Sequence, residues 1–270
     1  MERELFDIYL PCQLRTPSLI VGWQSHDVAR LSSKVIHFLN EELECQKIAE
    51  IKPLGFFPLG GAAFKDDLIQ ARGSNFWASR KGNLLIFEGE EPQYEWYRFL
   101  TTVLDFAQDS CHIKDLYTIS GTVSLIAHTT PRRTLAVYNQ AEFQEMLRGY
   151  GLEDMTWEGP PAISSYLLWA AKRRGVPGVS LWPEIPFYLA SAEDPAAAKL
   201  TLSFLDWRFD LGLDLGDLDL ETTSQNERIA QLRKENAEIN KYVNWLESGL
   251  SLDEEEQVRL AREVHEVLKE

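Results

Sequence analysis

Short apolar runs alternate with helix-period stretches along most of this chain. Leu19–Val21 is an aliphatic run of the kind a buried strand needs. It leads into a helix whose apolar positions Val28, Leu31, Val35 and Leu39 recur every three or four residues, with Asp27 placed to cap it. "CQKIAEI" alternates as a strand, and "KPLGFFPLGGAA" after it is a Gly/Pro/Phe-rich link. "DLIQARGSNFWAS" and "NLLIFEGEEP" form paired strands joined by a turn at "RKGN". From Tyr94 to Ser110, residues Trp96, Phe99, Leu100, Val103, Leu104 and Phe106 mark a helix. "IKDLYTISGT" and "RRTLAVYNQ" are strands, and "AEFQEMLRGYG" is a short helix ended by Gly151. "PPAISSYLLWAAKRRG" opens with prolines suited to a first helical turn and closes with basic residues and a glycine.

"GVPGVSLWPEIPFYLA" is then a buried strand running into two prolines that flank Glu184. In "DPAAAKLTLSFLDWRF", Asp194 is placed as a cap and Pro195 as the first helical residue. Strands alternating with helices at this spacing predict an α/β fold. The expected form is a three-layer α/β/α sandwich around a mixed, largely parallel sheet.

The tail differs in kind. Ser224 and Glu227 match a capping box, and Ile229, Leu232, Ile239, Val243 and Leu246 make a coiled-coil-type seam with Asn236 at the missing position. Ser251 and Glu254 repeat the box before a second stripe of Leu260, Ala261, Val264, Val267 and Leu268. The expectation is a core domain over 1–219 and a C-terminal helical hairpin over 220–270, packed on the core or on another subunit.

Charge narrows the function classes. A net charge of −15 argues against binding a phosphate backbone, which needs clustered Lys and Arg. "KRR" at Lys172–Arg174 and "PRR" at Pro131–Arg133 are the basic clusters, expected as a solvated helix end and a turn. No run of ~18 apolar residues suggests a membrane span, and the N-terminus has no signal-like pattern. Cys12, Cys45 and Cys111 lack CxxC spacing and fit reduced thiols, so a cytoplasmic protein is expected.

The search for chemistry is mostly negative. "IVGWQSHDVA" occupies the place of a phosphate loop but has one glycine and no Lys-Ser/Thr pair. His26, His37, His112, His128 and His265 show no metal-ligand spacing, so neither metal nor cofactor is expected. His26 beside Asp27 suits a helix start better than an acid–base pair. No GxSxG elbow is present. Three loops remain where an α/β sheet places its strand ends: "GWQSHD", "SGTVSLIAHTTPRR" and "LWPEIP". They supply Gly22, Gly121 and Thr122 as ligand-binding candidates, and Glu184, His128 and Arg132 as a catalytic trio should they converge. The competing reading has glycines and prolines setting turns and Glu184 hydrogen-bonded to nearby backbone.

"LIVGWQSHDVARLSSKVIHFLNEEL", "ISGTVSLIAHTTPRRTLAVYN", "WEGPPAISSYLLWAAKRRGVPGVSLWPEIPFYLASAEDPAAAKLTLSFL" and "LGLDLGDL" together resemble the proteasome-assembly-chaperone family. The likeness is to its prokaryotic branch, of the second-subunit type, from about Thr16 to about Glu247. It implies a nucleoside-phosphorylase-like α/β/α core, a homo-oligomer and a protein partner, with no nucleic acid and no membrane. Family members that bind proteasomes often end in a hydrophobic–Tyr–any tripeptide, whereas this sequence ends Leu268-Lys269-Glu270. The first loop, "WQSHD", is also poorer in glycine than is usual in the family. The resulting expectation is a non-catalytic, chaperone-like protein-binding module. The alternative is a phosphorylase- or hydrolase-like enzyme acting on a small anionic or nucleoside-like ligand.

Overall fold

Among the described residues, a mixed sheet of ten strands organises the chain. The computed structural model describes residues 3–65, 68–71, 73–156 and 162–269. In chain order the strands are β1 (Phe6–Ile8), β2 (Ser18–Trp23), β3 (Gln46–Ile51), β4 (Ala62–Lys65), β5 (Leu68–Ala71) and β6 (Ser74–Ser79). They continue with β7 (Leu84–Gly89), β8 (Asp115–Ile119), β9 (Thr122–Ser124), β10 (Thr134–Tyr138), β11 (Leu152–Asp154) and β12 (Gly178–Pro186). The helices are α1 (Leu31–Glu42), α2 (Trp96–Asp105), α3 (Ala141–Leu147), α4 (Ile163–Arg173), α5 (Pro195–Phe209), α6 (Gly216–Glu235), α7 (Ala237–Glu247) and α8 (Glu254–Lys269).

The sheet order is β1-β3-β6-β7-β2-β8-β12-β10-β11, and β9 pairs with the far half of β12. Strands β7, β2, β8 and β12 run parallel, while β1, β3, β6 and β7 pair antiparallel. The fold is therefore α/β with a mixed sheet, parallel at its centre. β4 and β5 form a separate two-stranded hairpin, so the "DLIQARGSNFWAS" segment is two strands rather than one. "RKGN" does turn β6 into β7, using left-handed φ values of 76° at Gly82 and 53° at Asn83.

Contacts divide the chain into two units. The first comprises Met1–His26, Ser32–Ser120 and Ala136–Leu181, and the second Asp27–Leu31, Gly121–Leu135 and Trp182–Glu270. Inside the first unit the alternation of strand side chains builds three layers. Leu19, Val21 and Trp23 face a core shared with Phe87, with Phe99 of α2 and with Leu167 of α4. Gly22 faces the opposite way, against α1. A Cβ there would sit 2.4 Å from Ile36 Cγ1 and 2.7 Å from Ser32 Oγ, so only glycine lets strand and helix approach this closely. Tyr117 lies in register with Ile20 and meets Phe143 of α3 edge-on at 5.7 Å. Helices α2 and α4 thus cover one face, and α1 and α3 the other. All six residues of β2 are buried, which explains its lack of polar alternation. Each buried Leu, Ile or Val of this kind contributes about 1.5–3 kcal/mol.

Polar groups finish the joints of this unit. Asn139 donates to the carbonyls of Leu168 (3.1 Å) and Val176 (3.0 Å) and accepts from Gly178 N–H (2.8 Å). It thereby ties the end of α4 to the start of β12. Gly175, at φ 72°, closes α4 as its sequence suggests. The prolines expected at the start of that helix, Pro160 and Pro161, lie outside the described residues. Asp27, however, makes no cap. A 3₁₀ turn over Val28–Arg30 intervenes before α1, because Ala29 and Arg30 take left-handed φ values of 54° and 52° that a continuous helix excludes.

In the second unit the C-terminal region holds three helices, not two. Ser224 lies inside α6, which begins at Gly216, so it caps nothing. Asn236 leaves helical geometry at φ −125° and ψ 102°, and its side-chain oxygen accepts from the N–H groups of Glu238 (3.1 Å) and Ile239 (3.3 Å). The predicted seam residue is an N-cap that separates α6 from α7. Ser251 and Glu254 do not form the second capping box; Asp253 and Glu256, two residues on, form it instead. Asp253 Oδ1 accepts from Glu256 N–H (2.9 Å) and Glu256 Oε2 from Asp253 N–H (3.1 Å). Ile229, Ile239, Val243, Leu246, Leu260 and Val264 are buried, with α6 against α5 and α8 against the turn Phe187–Leu189.

Candidate functional site

The second half of β12 and the loop 121–133 bring most of the predicted site residues together in the second unit. Pro183 and Pro186 remove backbone donors from β12, and past Trp182 the strand is paired by the three residues of β9. Glu184 falls opposite Thr122 in this register, and its N–H donates to the Arg133 carbonyl at 2.9 Å. Gly121 is again a close approach, since a Cβ there would come 2.6 Å from Ile185 Cδ1.

The candidate trio does not form one cluster. The buried Glu184 carboxylate is gripped by Arg133, with Nε on Oε2 at 2.8 Å and Nη2 on Oε1 at 2.9 Å, while the Ser124 hydroxyl donates to Oε1 at 3.2 Å. Arg132 turns instead to Asp194, with Nε on Oδ2 at 3.1 Å and Nη2 on Oδ1 at 3.4 Å. That pair is buried, with side-chain exposures of 5% and 0%. Arg132 Nη1 also reaches the carbonyls of Thr130 (2.8 Å), His128 (3.1 Å) and Ala127 (3.5 Å). Asp194 accepts from Ala197 N–H at 3.1 Å and so caps α5 as its sequence position suggests.

His128 is buried against Tyr188. The tyrosine hydroxyl accepts the His128 backbone N–H and lies 2.8 Å from Nδ1. Burial, reinforced by the positive charges of Arg233 and Arg132 and opposed by Glu247, lowers the His128 pKa to about 4. The imidazole is therefore neutral near pH 7. Burial likewise pushes the Tyr188 hydroxyl up, which keeps it protonated. The same loop reaches the tail through Thr129, whose hydroxyl donates to Glu247 Oε1 at 2.9 Å. Arg233 holds that carboxylate and Thr129 assists, lowering its pKa against the opposing effect of burial.

Arg132 and His128 are thus neighbours, while Glu184 belongs to a separate pair. Arg133, Ser124, Tyr188 and Asp194, the partners that fix all three, have no distinguishing sequence spacing as site residues. Gly22 belongs to the first unit and Gly121 to the second. His26 meets Glu91 at 3.4 Å. Cys12 and Cys111, distant in sequence, meet thiol to thiol, and this hydrogen bond lowers the Cys12 pKa to about 7. Among the described residues no group of three or more His, Cys, Asp or Glu could hold a metal ion. No helix among them is long and apolar enough to cross a membrane.

A second feature lies on the first unit. Helices α2 and α4 run side by side, their inner residues Phe99, Val103, Leu167 and Ala171 buried. Their outer faces carry four large rings: Trp96 (37% exposed), Tyr97 (60%), Tyr166 (46%) and Trp169 (47%). Trp96 meets Tyr166 with centroids 6.4 Å apart and Tyr97 meets Trp169 at 6.1 Å, so the rings pair across the two helices. The Arg173 guanidinium lies 5.0 Å over Trp169, and Arg174 pairs with Asp105 at 2.7 Å at the far end of the face. Contiguous exposed apolar surface of this kind marks interaction sites more often than scattered single residues do.

A mixed sheet flanked by helices, with C-terminal helices after it, defines an α/β protein. The PAC2 family model matches residues 19–233, and the chain belongs to the PAC2 family. Among solved structures, it is similar to a protein of unknown function from Corynebacterium glutamicum, at 18% identity and TM-score 0.78 over 91% of this chain and 96% of that one. The Mycobacterium tuberculosis proteasome-assembly chaperone homologue Rv2125 aligns at 18% identity and TM-score 0.72, over 84% and 99% of the two chains. PbaB of Pyrococcus furiosus, an archaeal proteasome activator, aligns at 20% identity and TM-score 0.70, over 84% and 98%. No curated protein matches the chain.

Proposed function

We propose that this chain is a non-catalytic, cytoplasmic protein-binding module that works as a homo-oligomer and engages a protein partner in the manner of an assembly chaperone. The aromatic face of α2 and α4 carries this reading: four partly exposed rings from two packed helices form a hydrophobic surface with charged residues beside it. Kinship with an assembly chaperone homologue and a proteasome activator supports it. The phosphorylase- or hydrolase-like reading has less support. Its three candidate side chains are engaged with Arg133 and Ser124, with Tyr188 and with Asp194.

Light scattering on the purified chain tests the proposal. The wild type is expected at a multiple of 30.9 kDa. The double substitution Tyr97→Ser/Trp169→Ser is expected to shift it to the monomer or to abolish capture of a stoichiometric protein partner. A monomeric wild type with no partner, or a double variant unchanged in both respects, overturns it.

A further inference from the structure

A groove in the second unit, separate from the β12 loops, has a different chemistry. It encloses about 720 Å³ between the turn that precedes α1, the start of α5, α6 and the end of α8. Arg30, Arg228 and Lys269 line it together with His265, facing two carboxylates, Glu193 and Glu221. The whole chain has 27 Lys and Arg against 42 Asp and Glu, so a surface where cations outnumber anions among the described residues runs against its composition. Arg228 is partly committed, since its guanidinium donates to the carbonyls of Val267 and Leu268 at the end of α8. Arg30 and Lys269 are exposed and form no ion pair among the described residues.

Arg30 is also delivered by unusual backbone. Ala29 and Arg30 are consecutive non-glycine residues in the left-handed region, held there by Ala29 N–H on the Ala190 carbonyl at 2.9 Å. Strained backbone persists only where its surroundings enforce it, and it concentrates at binding sites. The groove adds the hydroxyls of Ser224 and Ser191, the latter 3.3 Å from His265 Nδ1. Leu220 and Leu268 supply apolar wall. The donors are of the type that tetrahedral oxyanions select. The volume exceeds that of a bare oxyanion and falls within the ~300–1,000 Å³ of small-molecule sites.

We propose that this groove binds a small organic phosphate, with Arg30, Arg228 and Lys269 on the phosphoryl oxygens and the organic moiety along Leu220 and Leu268. The proposal goes beyond the protein-binding reading and does not depend on the aromatic face. It assigns a ligand to a surface made largely of the C-terminal helices.

Thermal unfolding and calorimetric titration of the full chain test it, with adenosine monophosphate, glycerol phosphate, inorganic phosphate and malate as probes. At ten times Kd or more, one of the two organic phosphates is expected to raise the midpoint by roughly 2–5 °C. The response weakens with added salt. A nucleotide response alone identifies a nucleoside phosphate, and a glycerol phosphate response alone a simpler phosphate ester. Arg30→Ala/Lys269→Ala is expected to weaken binding about tenfold or more while leaving the unliganded midpoint unchanged, because both side chains are exposed. Ser224→Ala, also exposed, provides a second and milder loss. Arg228 is a poor test position because it caps α8. No response to either organic phosphate, an equal response to malate or inorganic phosphate, or undiminished affinity in both variants overturns the assignment.

Discussion

His128 ties the second unit's stability to pH in a direction that its surroundings dictate. Its pKa falls from the ordinary 6.5 to about 4 through burial first, then Arg233 and Arg132. Between those values the unfolded chain takes up a proton that the folded chain refuses, so stability drops as pH falls from about 6.5 to about 4 and is insensitive to this group above that window. The full loss is on the order of 3 kcal/mol. Urea midpoints at pH 7.5 and pH 4.5 should show a smaller pH dependence in His128→Asn than in the wild type; equal dependence would remove His128 as the cause. The Glu184–Arg133 pair has a different asymmetry. The carboxylate is 8% exposed and the arginine 54%. Glu184→Ala releases an arginine that water can solvate, at a cost of about 1–2 kcal/mol. Arg133→Ala strands a buried carboxylate on Ser124 alone and should cost about 2–4 kcal/mol. Urea unfolding of the two variants ranks them, and a reversed order contradicts the geometry. The sequence displays both arginines side by side, yet nothing in "PRR" tells which one takes Glu184, because that choice follows from the long-range backbone bond between Glu184 N–H and the Arg133 carbonyl.

At the scale of elements, hydrophobic period proved a good guide to the sheet and a poorer guide to helix ends. The β2 run, the β6–β7 hairpin, α2 and the Asp194 cap of α5 all follow from local side-chain chemistry. Asn236 shows where period fails. Ile229, Leu232, Ile239, Val243 and Leu246 keep 3–4 spacing across it, and a kinked helix pair preserves that spacing as well as a straight helix does. The decision rests on a side-chain oxygen bonding two backbone N–H groups. A continuous seam would gain from Asn236→Leu, whereas an N-cap loses about 1 kcal/mol, as typical caps do. Thermal or urea denaturation of that one variant separates the two: destabilisation supports the break, and stabilisation opposes it. Ala29 and Arg30 were equally hidden, since neither residue type announces a left-handed backbone.

For the whole molecule, local patterns indicate the fold class but not the strand order. β1-β3-β6-β7-β2-β8-β12-β10-β11 interleaves early and late strands, and such pairings depend on distant partners. The division into contact units was hidden for a related reason. The second unit collects 27–31, 121–135 and 182–270, so no composition boundary marks it. The groove draws on residues from Arg30 to Lys269, and its cations are dispersed in a sequence whose overall charge is −15. Trp96, Tyr97, Tyr166 and Trp169 are visible individually as aromatic residues. Their union into one face requires α2 and α4 to lie side by side.

The loop 121–135 also sets a timetable for synthesis. Arg132 finds its carboxylate 62 residues later, at Asp194, and Thr129 finds Glu247 after 118. At about 5–20 residues per second, the second interval lasts roughly 6–24 s on the ribosome. For about the first half of that delay, until Glu184, Tyr188 and Asp194 have been made, the loop's arginines and histidine are available to chance neighbours. Thr129 waits longest, and a nascent chain stalled before Glu247 emerges leaves that position of the loop unsatisfied.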